Sequence, residues 1–301
     1  VPGSDEVSPQ VLLTRDLERA ELDRLLTGGV VHRLRRGAYT ERLPTQGRSR
    51  DARHATLARI RAVAAQTRLD AWFSHTSAAV VWGCPVLHLA GDVHVIQRSH
   101  PGQRKDDCLV RHVGVLDAAD RAVVDGLRVT GLARTLIDCA SVLPERDGLV
   151  VADAALRLGA DPDRVDALLR SRAGGRGVVR ARAVLALADA RAESAGETLA
   201  RWEMHRAGLP APDLQVPVRT RRCWRYVDLG WPAQRVGLEF DGRIKYTGEV
   251  GVGGVPALLA EKERQEELEE EGWRLVRASW RDVHTEGAAL ALRVRRALAG
   301  R

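Results

Sequence analysis

Between Tyr226 and Gly242 the chain reads YVDLGWPAQRVGLEFDG, two runs of alternating apolar residues around a Pro-Ala-Gln turn. That pattern admits little besides a β-hairpin. With Ala233 and Gln234 at the tip, Asp228 falls opposite Glu239. Asp241 lies two residues further along, on the face of Glu239, because strand side chains alternate. Like charges facing each other across a ladder destabilise it. A divalent cation reverses the sign, since Mg²⁺ or Mn²⁺ prefers hard oxygen ligands. Asp228, Glu239 and Asp241 are therefore the expected metal ligands; the alternative is an acidic hairpin end whose carboxylates are simply hydrated.

The surrounding segment, residues 190–301, reads as one domain. ESAGETLARWEMHRAG forms a helix that stops at Gly208, and LQVPVRT, WRYVDLG and RVGLEFDG follow as strands. VPALLAEKERQEELEEEG is a second helix, opened by Pro256 and stopped by Gly272. WRLVRASW is a fourth strand and HTEGAALALRVRRAL a closing helix. The crossover through the second helix predicts a parallel pair in a mixed sheet. Glu197, on the first helix, is placed to approach the carboxylate end of that sheet. Lys245 and Lys262 bracket the loop after the hairpin, where a lysine would orient water or stabilise charge on a phosphate. For Lys262 an ordinary surface pair with Glu266, four residues on, competes with that role. The stretch TGEVGVGGV lacks dinucleotide-binding spacing and reads as a mobile cover over the site.

Residues 8–43 read as a small helix–turn–helix with a β-wing. Thr14 caps a helix through TRDLERA, ELDRLL makes a second that stops at Gly28-Gly29, and VVHRLRRGAY alternates like a wing. Arg33, Arg35 and Arg36 of the wing, with Arg24 of the second helix, are the expected DNA contacts. A solvated basic strand is the competing reading. Arg24 stands against Glu21 and Asp23, which leaves the wing as the main contact rather than a base-reading helix.

RLPTQGRSRDAR (42–53) reads as a linker and 54–175 as an α+β middle domain. RAGGRGVVRAR (172–182) reads as a hinge into the last domain. In the middle domain HATLARIRAVAAQ, HTSAAVVWG, LARTLIDCASVL and DGLVVADAALRLG are helical, while DVHVIQRS and LVRHVGVL are strands. Ser74-His75 beside Asp70 invites comparison with a hydrolase triad, but triad members converge from separate elements, so helix capping by Ser74 or Thr76 is expected. Cys84-x3-His88 and Cys108-x3-His112 offer zinc-type ligands; the alternative is four reduced cysteines packed as ordinary side chains.

At 301 residues the chain exceeds a single core, and its net charge of +7 favours polyanionic partners such as DNA. Of its basic residues only Lys105, Lys245 and Lys262 are lysines. No apolar run approaches the ~18 residues that span a bilayer, and no basic-then-apolar leader opens the sequence, so a cytoplasmic location is expected.

GETLAR, VDLGWP, LEFDG, EKER and GWRLVR together resemble the DUF559 branch of the PD-(D/E)XK nuclease superfamily, related to very-short-patch-repair endonucleases, over about residues 192–285. LLTRDLERA, LRRGAYT, SHTSAAVVWG and GLRVTGLARTLIDCA are similar to AbiEi-type antitoxins of type IV toxin–antitoxin systems. The resemblance implies an N-terminal winged helix, an α+β middle domain and a C-terminal αβββαβ restriction-endonuclease-like domain. The implied catalytic set is Glu197, Asp228, Glu239, Asp241, Lys245 and Lys262, with Mg²⁺ or Mn²⁺ as cofactor. Asp241 stands where the superfamily carries its motif lysine, and Lys245-Tyr246 replace a histidine usual in this branch. The expected function is a DNA-binding, metal-dependent endonuclease. The alternatives are a non-catalytic regulator or antitoxin, acting with a nucleotidyltransferase-like toxin or its promoter and able to dimerise, and an interaction protein with no nucleic-acid role.

Overall fold

The computed structural model describes residues 9–42, 47–67, 70–99, 108–242 and 254–300, with backbone alone at 48–49 and 254–258. The chain is mixed α/β, with eleven α-helices and three sheets among the described residues. It divides into two compact units, Val1–Ala188 and Asp189–Arg301.

The first unit opens with β1 (Val11–Leu13), α1 (Arg19–Thr27), β2 (Val31–Arg35) and β3 (Ala38–Glu41), and the strands form an antiparallel sheet in the order β1-β3-β2. The helix expected through TRDLERA does not form as one; Thr14–Asp16 make a single 3-10 turn entered from β1, and Arg19-Ala20 belong to α1. Leu17 is extended and breaks the run before α1 begins. The linker expected at 42–53 is shorter, because α2 (Arg48–Gln66) starts within it. α2 is apolar on two sides. Ala58 and Ala62 pack with Leu13, Leu34 and Ala38 of the small sheet, while Ile60 and Val63 enter a second core with Phe73, Val80, Val95 and Val129. Residues 9–42 and the region after them thus share one helix.

β4 (Ala71–Phe73), α3 (His75–Trp82), β5 (Val93–Gln97), β6 (Leu109–Val113), β7 (Arg121–Val124) and β8 (Leu127–Thr130) follow. They build a five-stranded mixed sheet, β6-β5-β4-β8-β7, in which β5–β6 and β4–β8 are parallel. Asp125 and Gly126 join β7 to β8 with positive φ at both positions, the turn that suits strand twist. α4 (Leu132–Val142), α5 (Glu145–Arg157), α6 (Pro162–Ser171) and α7 (Val178–Leu187) pack together as a helical layer. Because α7 packs on α4 and α5, the division between units falls after 188, beyond the expected 172–182 hinge.

In the second unit α8 (Ala195–Arg206) precedes β9 (Asp213–Arg219), β10 (Trp224–Trp231), β11 (Val236–Phe240), α9 (Gly254–Glu270) and β12 (Arg274–Ala278). The sheet runs β12-β11-β10-β9, with β11 and β12 parallel, as the crossover requires. Pro217 sits in β9, an edge strand, where a missing N–H costs nothing. The closing helix is two, α10 (Trp280–Thr285) and α11 (Gly287–Leu298), because Ser279 ends the strand early and caps α10 in a capping box with Asp282. Leu268 of α9 and Trp273 close a core with Val216, Val218 and Val227. No described helix is long and apolar enough to cross a membrane.

Candidate functional site

The hairpin register is pinned by Leu229↔Leu238, Gly230↔Gly237 and Trp231↔Val236, which places Asp228 opposite Glu239. On the other side of β10, Val227↔Val216 and Leu229↔Leu214 place Gln215 opposite Asp228. Gln215 has a left-handed backbone (φ 52), so it drops out of the ladder. Its Nε2 donates to Glu197 Oε2 at 3.2 Å.

Asp228 is half-buried, and its Oδ2 accepts the Phe240 N–H at 2.9 Å. Burial raises its carboxyl to about 6; the Phe240 hydrogen bond opposes the rise, and the charges of Glu197 and Glu239 add to it. Glu197 is buried and held by its helix start. Ser194 Oγ donates to Oε1 at 2.7 Å and the Glu193 N–H to Oε2 at 3.0 Å, in the manner of an N-terminal cap. Its carboxylate is thus fixed near Asp228 by three donors rather than left open.

Glu239 meets a partner that the motif reading left without a role. Arg264 of α9 donates from Nη1 to Oε2 at 2.9 Å and lies 2.7 Å from Oε1 through Nη2. Nη2 directs its hydrogen bond to the Tyr226 carbonyl at 2.8 Å, so Oε1, though ion-paired, is buried without an aligned donor. Asp241 lies just past β11, its N–H on the Ala278 carbonyl at 2.8 Å and its Oδ2 3.8 Å from Arg277. Asp228, Glu239 and Asp241 do not gather as a set of three metal ligands among the described residues. Lys262 is exposed and pairs with Glu266 at 3.6 Å, the surface alternative. Lys245 and most of the glycine-rich stretch lie outside the described residues.

Around α1 and the β2–β3 hairpin, Arg24, Arg33 and Arg36 are exposed and Arg35 is half-buried. Arg24 and Arg33 turn their Nε toward nearby carbonyls of Ala20 and Arg35, both at 3.3 Å, and leave most of each guanidinium in solvent. The chemistry available there is phosphate contact.

The zinc-type pairing does not form. His88 bonds Asp147 Oδ2 at 2.8 Å, away from His112, and Cys84 is buried. Ser74 occupies the N-cap of α3 without a side-chain cap bond; its Oγ lies 3.0 Å from His75 Nδ1. Asp70, the third member of the discounted triad, pairs with Arg128 at 2.9 Å. The group that does gather is His75, His94 and His112, whose ligand atoms all lie within 4.8 Å of one another. The alternation of VHV and VRHV carried part of that signal; the convergence with the start of α3 depended on sheet order.

No protein-family model matches the chain. It is 36% identical over 179 residues to the uncharacterized proteins Rv2248 and MT2308 of two Mycobacterium tuberculosis strains, 58% of this chain and 63% of theirs. The match thus covers less than two thirds of those relatives' length. The crystal structure of the RV2827C protein from Mycobacterium tuberculosis superposes with a TM-score of 0.36 at 17% identity, over 60% of this chain and 77% of that one, too distant to bear on the fold.

Proposed function

We propose that the chain is a cytoplasmic DNA-binding protein whose 190–301 region is a PD-(D/E)XK-like, Mg²⁺- or Mn²⁺-dependent endonuclease domain acting on phosphodiester bonds. The observation that carries the reading is the register that sets Asp228 against Glu239 with Glu197 nearby, a cluster of half-buried and buried acids that no plain hairpin requires. Two features fit a cation there. The Asp228 carboxyl is raised by burial first and by its acidic neighbours in addition, and Glu239 Oε1 is buried without an aligned hydrogen bond. Asp228 and Glu239 would hold the ion, with Asp241 completing or orienting the shell. Glu197, held by Gln215 at 3.2 Å, would share with Asp241 the role of completing or orienting that shell. A bound divalent cation supplies polarisation of the phosphate and a lowered pKa for its water. Lys245 keeps the water-assisting role, since Lys262 is engaged on the surface.

The order αβββαβ with its parallel β11–β12 pair supports the nuclease-like assignment. For residues 8–43, support for a winged helix comes from the sheet order β1-β3-β2 with α1 between β1 and β2. Arg24, Arg33, Arg35 and Arg36 are the proposed phosphate contacts.

Arg264 favours a second reading. Its ion pair already neutralises Glu239, as a site that had stopped cutting would tolerate. In that reading the chain is a regulator or antitoxin of a type IV system that binds DNA, as a homodimer, and partners a nucleotidyltransferase-like toxin. Incubation of the full chain with duplex and single-stranded DNA separates the two. The nuclease reading expects cleavage that needs Mg²⁺ or Mn²⁺ and disappears in Asp228→Asn. Salt-sensitive binding with no cleavage under any divalent metal supports the regulator.

A further inference from the structure

Three histidines from three elements of the first unit meet at one point. His94 and His112 lie on the parallel strands β5 and β6, two register positions apart, since His94 pairs with Val110 and His112 with Ile96. His75 begins α3 and is brought over β5 by two hydrogen bonds. The Ser74 N–H donates to the His94 carbonyl at 3.0 Å, and the His94 N–H to Ser77 Oγ at 2.8 Å. The backbone of His75 is left-handed (φ 51), a conformation that β-carbon sterics disfavour and that persists only where the surroundings impose it. The strained residue is buried, and its ring stacks on His112 with centroids 3.7 Å apart.

We propose that His75, His94 and His112 form a transition-metal site of the zinc class, at the wall of an arginine-lined cavity in the first unit. Imidazole nitrogen is the ligand type that Zn²⁺ and its neighbours select, and three of them leave a fourth position for water or an anion. His94 Nδ1 and His112 Nε2 are 3.0 Å apart. Two imidazoles on one tetrahedral Zn²⁺ place their nitrogens about 3.3 Å apart, given Zn–N bonds of about 2.0–2.1 Å. The pair therefore stands near ligand spacing. Ser74 Oγ lies 3.0 Å from His75 Nδ1; in the tautomer that places the hydrogen on Nδ1, Ser74 would accept it and Nε2 would keep its lone pair for the ion, the outer hydrogen bond that ligating histidines make. Opening the His75–His112 stack needs rotation about χ2, which is broad for histidine.

The surroundings bear on the charge of the site. The metal-free 3.0 Å contact is a hydrogen bond in which one of the two imidazoles carries the proton, so binding an ion across His94 Nδ1 and His112 Nε2 releases that proton. His75 and His112 line a cavity of about 570 Å³ whose wall also carries Arg134, Arg172, Arg176 and Arg180. Buried Asp138, paired with Arg134 at 3.0 Å and Arg172 at 2.5 Å, offsets part of that positive charge. An anionic oxygen ligand at the fourth position would face guanidinium groups. The site lies in a different unit from the proposed carboxylate centre and does not depend on it.

The test is a Co²⁺ titration of the full chain, read by the visible bands of tetrahedral Co²⁺, followed by Zn²⁺ competition. The expected result is saturable bands in the wild type that Zn²⁺ displaces. His94→Gln and His112→Gln should each weaken binding by at least ~100-fold, beyond the roughly 10–100-fold of an outer-shell loss, while Asp228→Asn leaves the bands in place. Should the histidine variants fail to fold, X-ray absorption on the Zn²⁺-loaded wild type decides, with an imidazole-rich shell at about 2.0–2.1 Å expected. Absence of tetrahedral bands, bands that persist in both histidine variants, or an oxygen-only shell would overturn the proposal.

Discussion

Arg264 shows what one residue settles. Its guanidinium is the counterion of a buried glutamate, and removing one partner of such a pair leaves an uncompensated charge. Arg264→Ala should destabilise the chain by about 3 kcal/mol in chemical denaturation. If Glu239 is a metal ligand, Mg²⁺ should restore part of that loss by binding only the folded state. Asp228 carries a pH prediction. Its carboxyl is raised from 3.8 to about 6, so the folded state holds the proton more tightly than the unfolded chain. Stability from this group is therefore greatest below about pH 4, falls as pH rises from about 4 to 6, and is lost above that. Asp228→Asn should stabilise the metal-free protein at pH 7 by on the order of 2 kcal/mol, with no gain below pH 4. Urea melts across that range check it, and a gain that grows on acidification would contradict the assignment. The facing of Asp228 and Glu239 was legible because a short hairpin fixes its own register. The seating of Arg264 was not, since the helix position that meets a strand residue 25 positions earlier is set by tertiary packing.

Among the elements, α8 positions Glu197 through close approach to the sheet. A β-carbon on Gly196 would sit 2.0 Å from the Phe240 ring, so α8 lies on β11 only because that position is glycine. Gly196→Ala should cost about 1–3 kcal/mol in thermal or urea denaturation, since overpacking must displace the helix or the ring. An unchanged stability would mean that α8 does not pack there. The parallel β11–β12 pair was legible, because a strand–helix–strand crossover leaves few alternatives. β4 is three residues long and β7 and β8 four each, too short for periodicity to reveal, although Asp125-Gly126 marked the β7–β8 turn. TRDLERA had helical composition, yet Thr14–Asp16 form a 3-10 turn and only Arg19 and Ala20 enter α1, because Val11–Leu13 pair with β3 and the chain must leave that strand. The histidine cluster was illegible for a related reason. Its members are spread over residues 75–112 and meet only through the β5–β6 pairing and the docking of α3.

For the whole molecule, the proposed contact with DNA rests on a net charge of +7 and on exposed arginines around the β2–β3 hairpin. If Arg33 and Arg36 contact phosphates, replacing each by alanine should weaken duplex binding evenly across sequences. Each should also lower the slope of log affinity against log salt by about 0.9; an unchanged slope would remove the wing from the interface. In the other unit, Asp228 and Glu239 are proposed to hold a divalent cation together. Calorimetric titration of Mg²⁺ into the full chain tests it most directly, because Mg²⁺ avoids imidazole sites and reports on carboxylates. Saturable binding in the wild type, lost in both Asp228→Asn and Glu239→Gln, is the expected result. No binding by the wild type, or equal binding by the two variants, would contradict it.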